Sequence, residues 1–167
     1  MRLVTTLAAL LALAACSKPA PPAASGNVAA ETPSEGAAPP ALSAAQKKTL
    51  LAELPAAYQN ADLDSGQAKF AICKTCHNVA RGAGSMTGPD LYGVFGRKAG
   101  TSPGFAYSDG LSALGITWDA ASLDKWITNP HAMVPGTKMT YIGMSDAKDR
   151  TDVIAYLKTV TSPPPAS

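Results

Sequence analysis

The stretch RGAGSMTGPDLYGVFGRKAGTSPGFAYSDG, Arg81 to Gly110, limits the possible folds more than any other part of the chain. Its apolar residues recur at neither a helical nor a strand spacing, and Gly and Pro punctuate it throughout. A stretch of about thirty irregular residues is evidence against a small domain that packs only on itself. It becomes tenable if a large apolar object occupies the centre and the loops wrap around it. Such a chain needs side chains elsewhere that can hold the object.

Directly before this stretch stands CKTCH, with Cys73, Cys76 and His77. Three chemistries use such a motif: a redox dithiol, half of a zinc site, and the attachment of a haem. A thioredoxin-like dithiol needs a βαβ frame, which the flanking pattern lacks. A structural zinc ion needs four ligands, and beyond this motif the globular part offers only His131 and no further cysteine. A disulfide across two residues would constrain almost nothing. Attachment of a c-type haem remains. Two thiols at this spacing can meet the two vinyl groups of one porphyrin while the adjacent imidazole reaches the iron. A six-coordinate electron carrier also needs a second axial ligand, and Met opposite His raises the potential. Met86, Met133, Met139 and Met144 are available. Met139 is the candidate, because Pro135 and Gly136 in VPGTKMTY make a tight loop that can turn one side chain inward. Met133 and Met144 read as packing or surface residues, and His131 beside Pro130 reads as an exposed loop histidine.

The N-terminal third has a different character. Arg2 and the apolar run Leu3 to Ala15 suit an export signal, too short to span a bilayer comfortably. Its end, LALAAC, resembles the lipobox of bacterial lipoproteins, which predicts cleavage after residue 15 and lipidation of Cys16. That assignment also removes the odd cysteine and leaves Cys73 and Cys76 as a pair. Residues 16–42 are an Ala/Pro/Gly/Ser mixture without enough large apolar side chains to offset ordering entropy, so they read as a tether. Residues 43–60 read as a short helical lead-in, with Ser43 and Gln46 forming a capping box and Leu50, Leu51 and Leu54 on one side. Whether the lead-in docks is not readable from the pattern. The globular domain is 61–161, followed by a tail over 162–167. Within the domain, helices are expected over 62–77, from a Ser122 cap to Asn129, and from a Ser145 cap through Val160. The formal charge of +2, without Lys/Arg runs interleaved with aromatics, argues against nucleic acid as a partner.

Taken in order, CKTCH, TGPDLYGVFGRKAGTSPGFAYSDG, GITW, NPHAMVPGTKM and RTDVIAYLK resemble the class I cytochromes c of the mitochondrial and bacterial c-two type. The resemblance covers nearly all of 62–160. It implies an all-α class I cytochrome c fold, with few helices and long loops wrapped around one covalently bound haem c. By the same resemblance, Cys73 and Cys76 form thioethers, His77 and Met139 bind the iron, and the Pro89 carbonyl orients His77. Arg97, Tyr107 and Trp118 match positions that hydrogen-bond one haem propionate, and Thr137 matches a position near the other. Gly66, Phe70 and Tyr156 match the crossing of the first and last helices. Trp126 stands where the family commonly has Tyr beside the methionine ligand, and Leu111 where mitochondrial members have Asn.

The implied function is one-electron transfer, not enzymatic catalysis, in a respiratory chain. The expected donor is a quinol-oxidising cytochrome complex and the expected acceptor a terminal oxidase. The alternatives are a subunit through which electrons enter one particular oxidoreductase, or a haem peroxidase or ligand-binding module. The expected setting is a monomer facing the bacterial periplasm and lipid-anchored to a membrane, the inner rather than the outer. Residues 61–160 carry ten Lys/Arg against nine Asp, so the family's basic face is reduced to a few candidates such as Lys74, Lys98 and Lys138.

Overall fold

The computed structural model of the protein describes residues 41–165. The expected signal peptide, Cys16 and nearly all of the tether lie outside the described residues. The chain forms α1 (Ala44–Ala52), α2 (Ala56–Gln59), α3 (Leu63–Phe70), α4 (Asp109–Ser112), α5 (Ala120–Thr128), α6 (Pro130–Met133) and α7 (Ala147–Thr161). Among the described residues the only β-type pairing is an isolated antiparallel bridge between Lys98 and Thr117.

Asp62 starts α3 by accepting hydrogen bonds from the backbone amides of Asp64 and Ser65, both at 3.0 Å. The helix stops at Phe70 and does not run on to His77 as the sequence pattern suggests. A single 3-10 turn over Cys73–Thr75 follows. Past Phe70 the backbone tightens, with the Ala71 amide on the Ala68 carbonyl at 3.3 Å and the Thr75 amide on the Ile72 carbonyl at 3.4 Å. The Cys76 carbonyl is taken by the amide of Gly88 at 2.8 Å, so the α-helix does not resume. The Cys73 carbonyl receives both the Cys76 and His77 amides, at 3.1 and 3.0 Å, and closes the turn.

Two helix starts also differ from the expected ones. The N-cap of α5 is Asp119, whose carboxylate accepts the Ser122 amide at 2.7 Å while the Ser122 hydroxyl accepts the Asp119 amide at 2.8 Å. Ser122 is therefore the reciprocal partner in a capping box rather than the cap. In α7 the cap is Asp146, bonded to the Asp149 amide at 2.8 Å, rather than Ser145. A carboxylate at this place also complements the positive end of the helix dipole.

The frame of the domain is the crossing of α3 and α7. A Cβ on Gly66 would lie 2.2 Å from the Asp152 carbonyl oxygen, so only glycine allows the two backbones to come this close. Phe70 and Tyr156 pack there with ring centroids 5.6 Å apart. Asp152, almost fully buried, accepts the Asp62 amide at 3.0 Å and the Lys148 ammonium at 2.6 Å. Helix α7 is enclosed on more than its apolar stripe, since Asp152, Thr159 and Thr161 are buried along with Val153, Ile154, Tyr156 and Leu157.

The lead-in docks on this frame. Ser43 and Gln46 form the expected capping box at the start of α1. Leu51 and Leu54 enter the same apolar cluster as Phe70, Trp118 and Tyr156. The Gln59 side-chain amide donates to the Leu54 carbonyl at 2.8 Å, folding α2 back on α1. Glu53 pairs with Lys158 of α7 at 2.6 Å.

Two outcomes test this packing. Leu54→Ala should lower unfolding stability by about 2 kcal/mol or more, because a buried Leu is removed from the shared cluster; chemical denaturation of the holo-protein measures it. Burial raises the pKa of Asp152, but the Lys148 ammonium and the Asp62 amide outweigh burial and hold it below the ordinary carboxylate value. Its contribution is thus present above the unfolded-state pKa and is lost as pH falls through the lower folded value. The stability difference between the native protein and Asp152→Asn should therefore shrink below about pH 4, as acid titrations followed by circular dichroism would show.

Candidate functional site

The turn after α3 brings Cys73, Cys76 and His77 together within five residues, and all three side chains are half-buried. No disulfide joins the cysteines. Burial pushes the Cys73 thiol up to about 11, so it is protonated at neutral pH. A redox-active dithiol needs the opposite, a depressed thiol pKa. Metal clustering gives no support for zinc either, since no group of three or more His, Cys, Asp or Glu with metal-ligand placement occurs among the described residues.

His77 is held by the loop at Gly88 and Pro89. Its Nδ1 lies 2.7 Å from the Pro89 carbonyl oxygen. A carbonyl only accepts, so Nδ1 carries the proton and the Nε2 lone pair is left available. Burial lowers the pKa of the ring, with the Pro89 contact opposing, and the neutral imidazole is the form at pH 7. Gly88 makes the approach possible: a Cβ there would lie 2.5 Å from the His77 Cε1.

Arg97, Tyr107 and Trp118 are gathered by the irregular stretch. The Arg97 guanidinium donates to the carbonyls of Asp90 and Tyr92, at 2.7 and 2.9 Å. The Ser102 hydroxyl shares the Asp90 carbonyl at 3.2 Å, and the Ser102 amide donates to the Tyr107 hydroxyl oxygen at 3.3 Å. Gly96 donates to the Trp118 carbonyl at 2.8 Å, and the Trp118 amide donates to the Arg97 carbonyl at 2.9 Å. Trp118 packs on Trp126 with centroids 5.8 Å apart, and both rings are buried. Leu111, one turn into α4, is buried as well.

Met139 and Thr137 lie on a separate loop. Met139 is partly buried against the central cluster, and its amide donates to the Thr137 hydroxyl at 3.3 Å. Lys138 ties this loop to the irregular stretch by donating to the Ala106 carbonyl at 2.7 Å, one residue before Tyr107. Met133 and Met144 pack against the cluster, whereas Met86 and His131 are exposed.

One residue of this region has no counterpart in the sequence reading. The Ser108 hydroxyl is buried and has no hydrogen-bond partner among the described residues. Buried polar groups are normally satisfied, so this orphan fits a ligand that brings an acceptor. Its signal in the sequence was only adjacency to Tyr107. Two unlinked thiols, an imidazole with its outer nitrogen fixed, a glycine where a Cβ would displace that ring, and an orphaned hydroxyl together fit a covalently attached haem with carboxylate side groups.

Comparison with known proteins gives the same chemistry. A family model described as Cytochrome c matches residues 63–161. The cytochrome c2 of Rhodomicrobium vannielii is 48% identical over 103 residues, covering 62% of this chain and 82% of that protein. The cytochrome c of Euglena viridis is 51% identical over 85 residues, covering 51% of this chain and 82% of its own. Among solved structures, cytochrome cH from Methylobacterium extorquens matches with a TM-score of 0.55 and 48% identity, covering 59% of this chain and 98% of that one. The chain belongs to the cytochrome c family: it is an electron-transfer protein carrying covalently bound haem c, with the all-α class I fold, and not an enzyme.

Proposed function

We propose that Cys73 and Cys76 hold the haem by thioether bonds, that His77 Nε2 and Met139 are its iron ligands, and that the protein carries single electrons along a respiratory chain. The observation that carries this reading is the His77 contact: with Nδ1 committed to Pro89 at 2.7 Å, Nε2 is left free on a residue that directly follows two unpaired cysteines in CKTCH. Such an outer hydrogen bond fixes the ring and raises its strength as a ligand. When bound, the haem supplies one-electron gain and loss at its iron. With His77 and Met139 both as ligands, the iron would have no position left for a substrate, and the same two residues would serve in both redox states.

The other residues receive the haem's carboxylates. Tyr107 uses its oxygen lone pair for the Ser102 amide, which leaves its hydroxyl proton to donate. Ser108 has a hydroxyl with no other partner. With Arg97, Trp118 and Thr137 these groups suit propionates held away from water. Trp126 and Leu111 make the surroundings drier than a Tyr and an Asn would.

The wider setting is also a proposal. Cys16 bears the lipid, 1–15 is its signal peptide, 16–42 is the tether, 61–161 is the haem domain with 43–60 leading in, and 162–167 is the tail. The LALAAC sequence supports lipidation, and the cytochrome c2 relatives support a periplasmic setting. A monomer anchored to the inner membrane would take electrons from a quinol-oxidising complex and deliver them to a terminal oxidase.

Replacing Met139 with Ala should abolish the far-red absorption band that a thioether-ligated ferric haem shows, and should lower the midpoint potential while the haem stays covalently attached. Persistence of the band in that variant would reassign the ligand. Gly88→Ala should drive a methyl group into the His77 ring and reduce the haem-to-protein ratio of the purified product severalfold, measured by pyridine haemochrome.

A further inference from the structure

The α1–α2 segment precedes the matched family domain, which begins at residue 63. Yet α7, inside that domain, carries a charge that, among the described residues, this segment balances. Lys158 keeps 11% of its side chain exposed, and its single ion pair among the described residues is with Glu53, at 2.6 Å. A cation this deep is costly without a counter-charge. Its ammonium also lies 5.2 Å from the centroid of the Phe95 ring.

From Phe95 the contacts lead to the predicted propionate residues in two steps. Gly96, next in the chain, donates to the Trp118 carbonyl, and Trp118 donates back to Arg97. The same short ladder therefore sets the backbone of both Arg97 and Trp118. The lead-in lies along its outer side: Glu53, Leu54, Phe95, Gly96, Trp118 and Lys158 line one shallow groove. Tyr58 of α2 reaches the Ala120 carbonyl at 3.5 Å, two residues beyond Trp118. Leu51 and Leu54 complete the attachment by sharing the Trp118 cluster.

We propose that α1 and α2 form a strap that positions Trp118 and Arg97 at the propionate end of the haem, so that residues outside the family domain set the midpoint potential. Glu53, Leu51 and Leu54 are positioning residues in this scheme, since they act through Trp118 and Arg97. The proposal rests on the reading that Trp118 and Arg97 face the propionates. A strap that only added stability would move the unfolding midpoint and leave the potential alone.

The test uses the full-length holo-protein. Glu53→Gln removes the ion pair while keeping its shape, and Leu51→Ala with Leu54→Ala releases the apolar grip. Trp118→Phe tests the underlying reading, with Arg97→Gln in its place if Trp118→Phe yields no holo-protein. Spectroelectrochemistry gives the potential, and thermolysin cleavage within residues 43–60 reports release of the strap. Each strap variant should change the ferric–ferrous equilibrium constant about twofold or more, about 18 mV at 59 mV per tenfold for one electron. Combined with Trp118→Phe, the strap variants should shift the potential less than they do alone, because part of their effect runs through the Trp118 side chain. A released strap with an unchanged potential, while Trp118→Phe still shifts it, overturns the strap and leaves the propionate reading standing. Shifts that simply add also overturn it, because the strap would then act by another route. If neither the strap variants nor Trp118→Phe or Arg97→Gln moves the potential, the propionate reading falls and the strap falls with it.

Discussion

The close crossing of α3 and α7 is the contact on which everything else is built. It is short because Gly66 has no side chain to hold the helices apart, and it is pinned because Asp152 ties the N-terminal cap of α3 to α7. One turn beyond the crossing, the chain leaves the α-helix and presents Cys73, Cys76 and His77. The crossing therefore delivers the attachment site at a fixed place, and the loops need only close over it. Closure is made by short links rather than by a ladder: Gly88 to Cys76, Pro89 to His77, Lys138 to Ala106.

That division of labour explains what the sequence made legible. A covalent motif, CKTCH, whose competing chemistries lacked the frame or the ligands they need, pointed to the cofactor, and the order of the surrounding motifs pointed to the fold. The Leu and Val spacing announced α7, because a long helix with a repeating apolar stripe is a local signal. The turn at Cys73–Thr75 was not legible. No Gly or Pro marks it, and the contact that keeps the helix from resuming, the Gly88 amide on the Cys76 carbonyl, comes from twelve residues ahead. The starts of α5 and α7 were missed by one to three residues because Asp and Ser stand close together in both places, and only geometry shows which one faces the free amides. Docking of α1 was equally invisible, since its Leu residues are too few to reveal a partner. The buried Lys158 was hidden for the opposite reason: a Lys near the end of a helix ordinarily reads as solvated.

The strap and the haem site place opposite demands on the same chain. A covalent haem supplies a large apolar centre, so the helices can be few and the loops long. On the proposed reading, the cost is that the polar groups that receive the cofactor's carboxylates must be held by irregular backbone. Asp90 illustrates this: one carbonyl receives both Arg97 and Ser102, and Ser102 in turn fixes Tyr107. Small displacements of that backbone would move several donors together. On the proposed reading, an element braced against it, as α1 and α2 are through Leu51, Leu54 and the Glu53–Lys158 pair, acts on the electrostatics of the centre through that backbone.

Surface charge completes the argument about how such a carrier meets its partners. Of the lysines named as candidates for the remaining basic face, Lys138 donates to the Ala106 carbonyl and Lys74 lies 5.8 Å from the centroid of the Tyr156 ring. An ammonium held by its own protein retains its charge, but it cannot extend freely toward an acidic partner. The domain nets only +1 over 61–160, so its long-range field is weak to begin with. Large apolar side chains do stand exposed in the chain segments that carry the site: Ile72 beside Cys73, and Ile142 three residues after Met139. A freely diffusing carrier with such a surface would find its partners slowly. On the proposed reading, a lipid at Cys16 replaces diffusion through three dimensions with a high local concentration at the membrane. Weak steering is then no handicap, because the search that steering would shorten has already been confined.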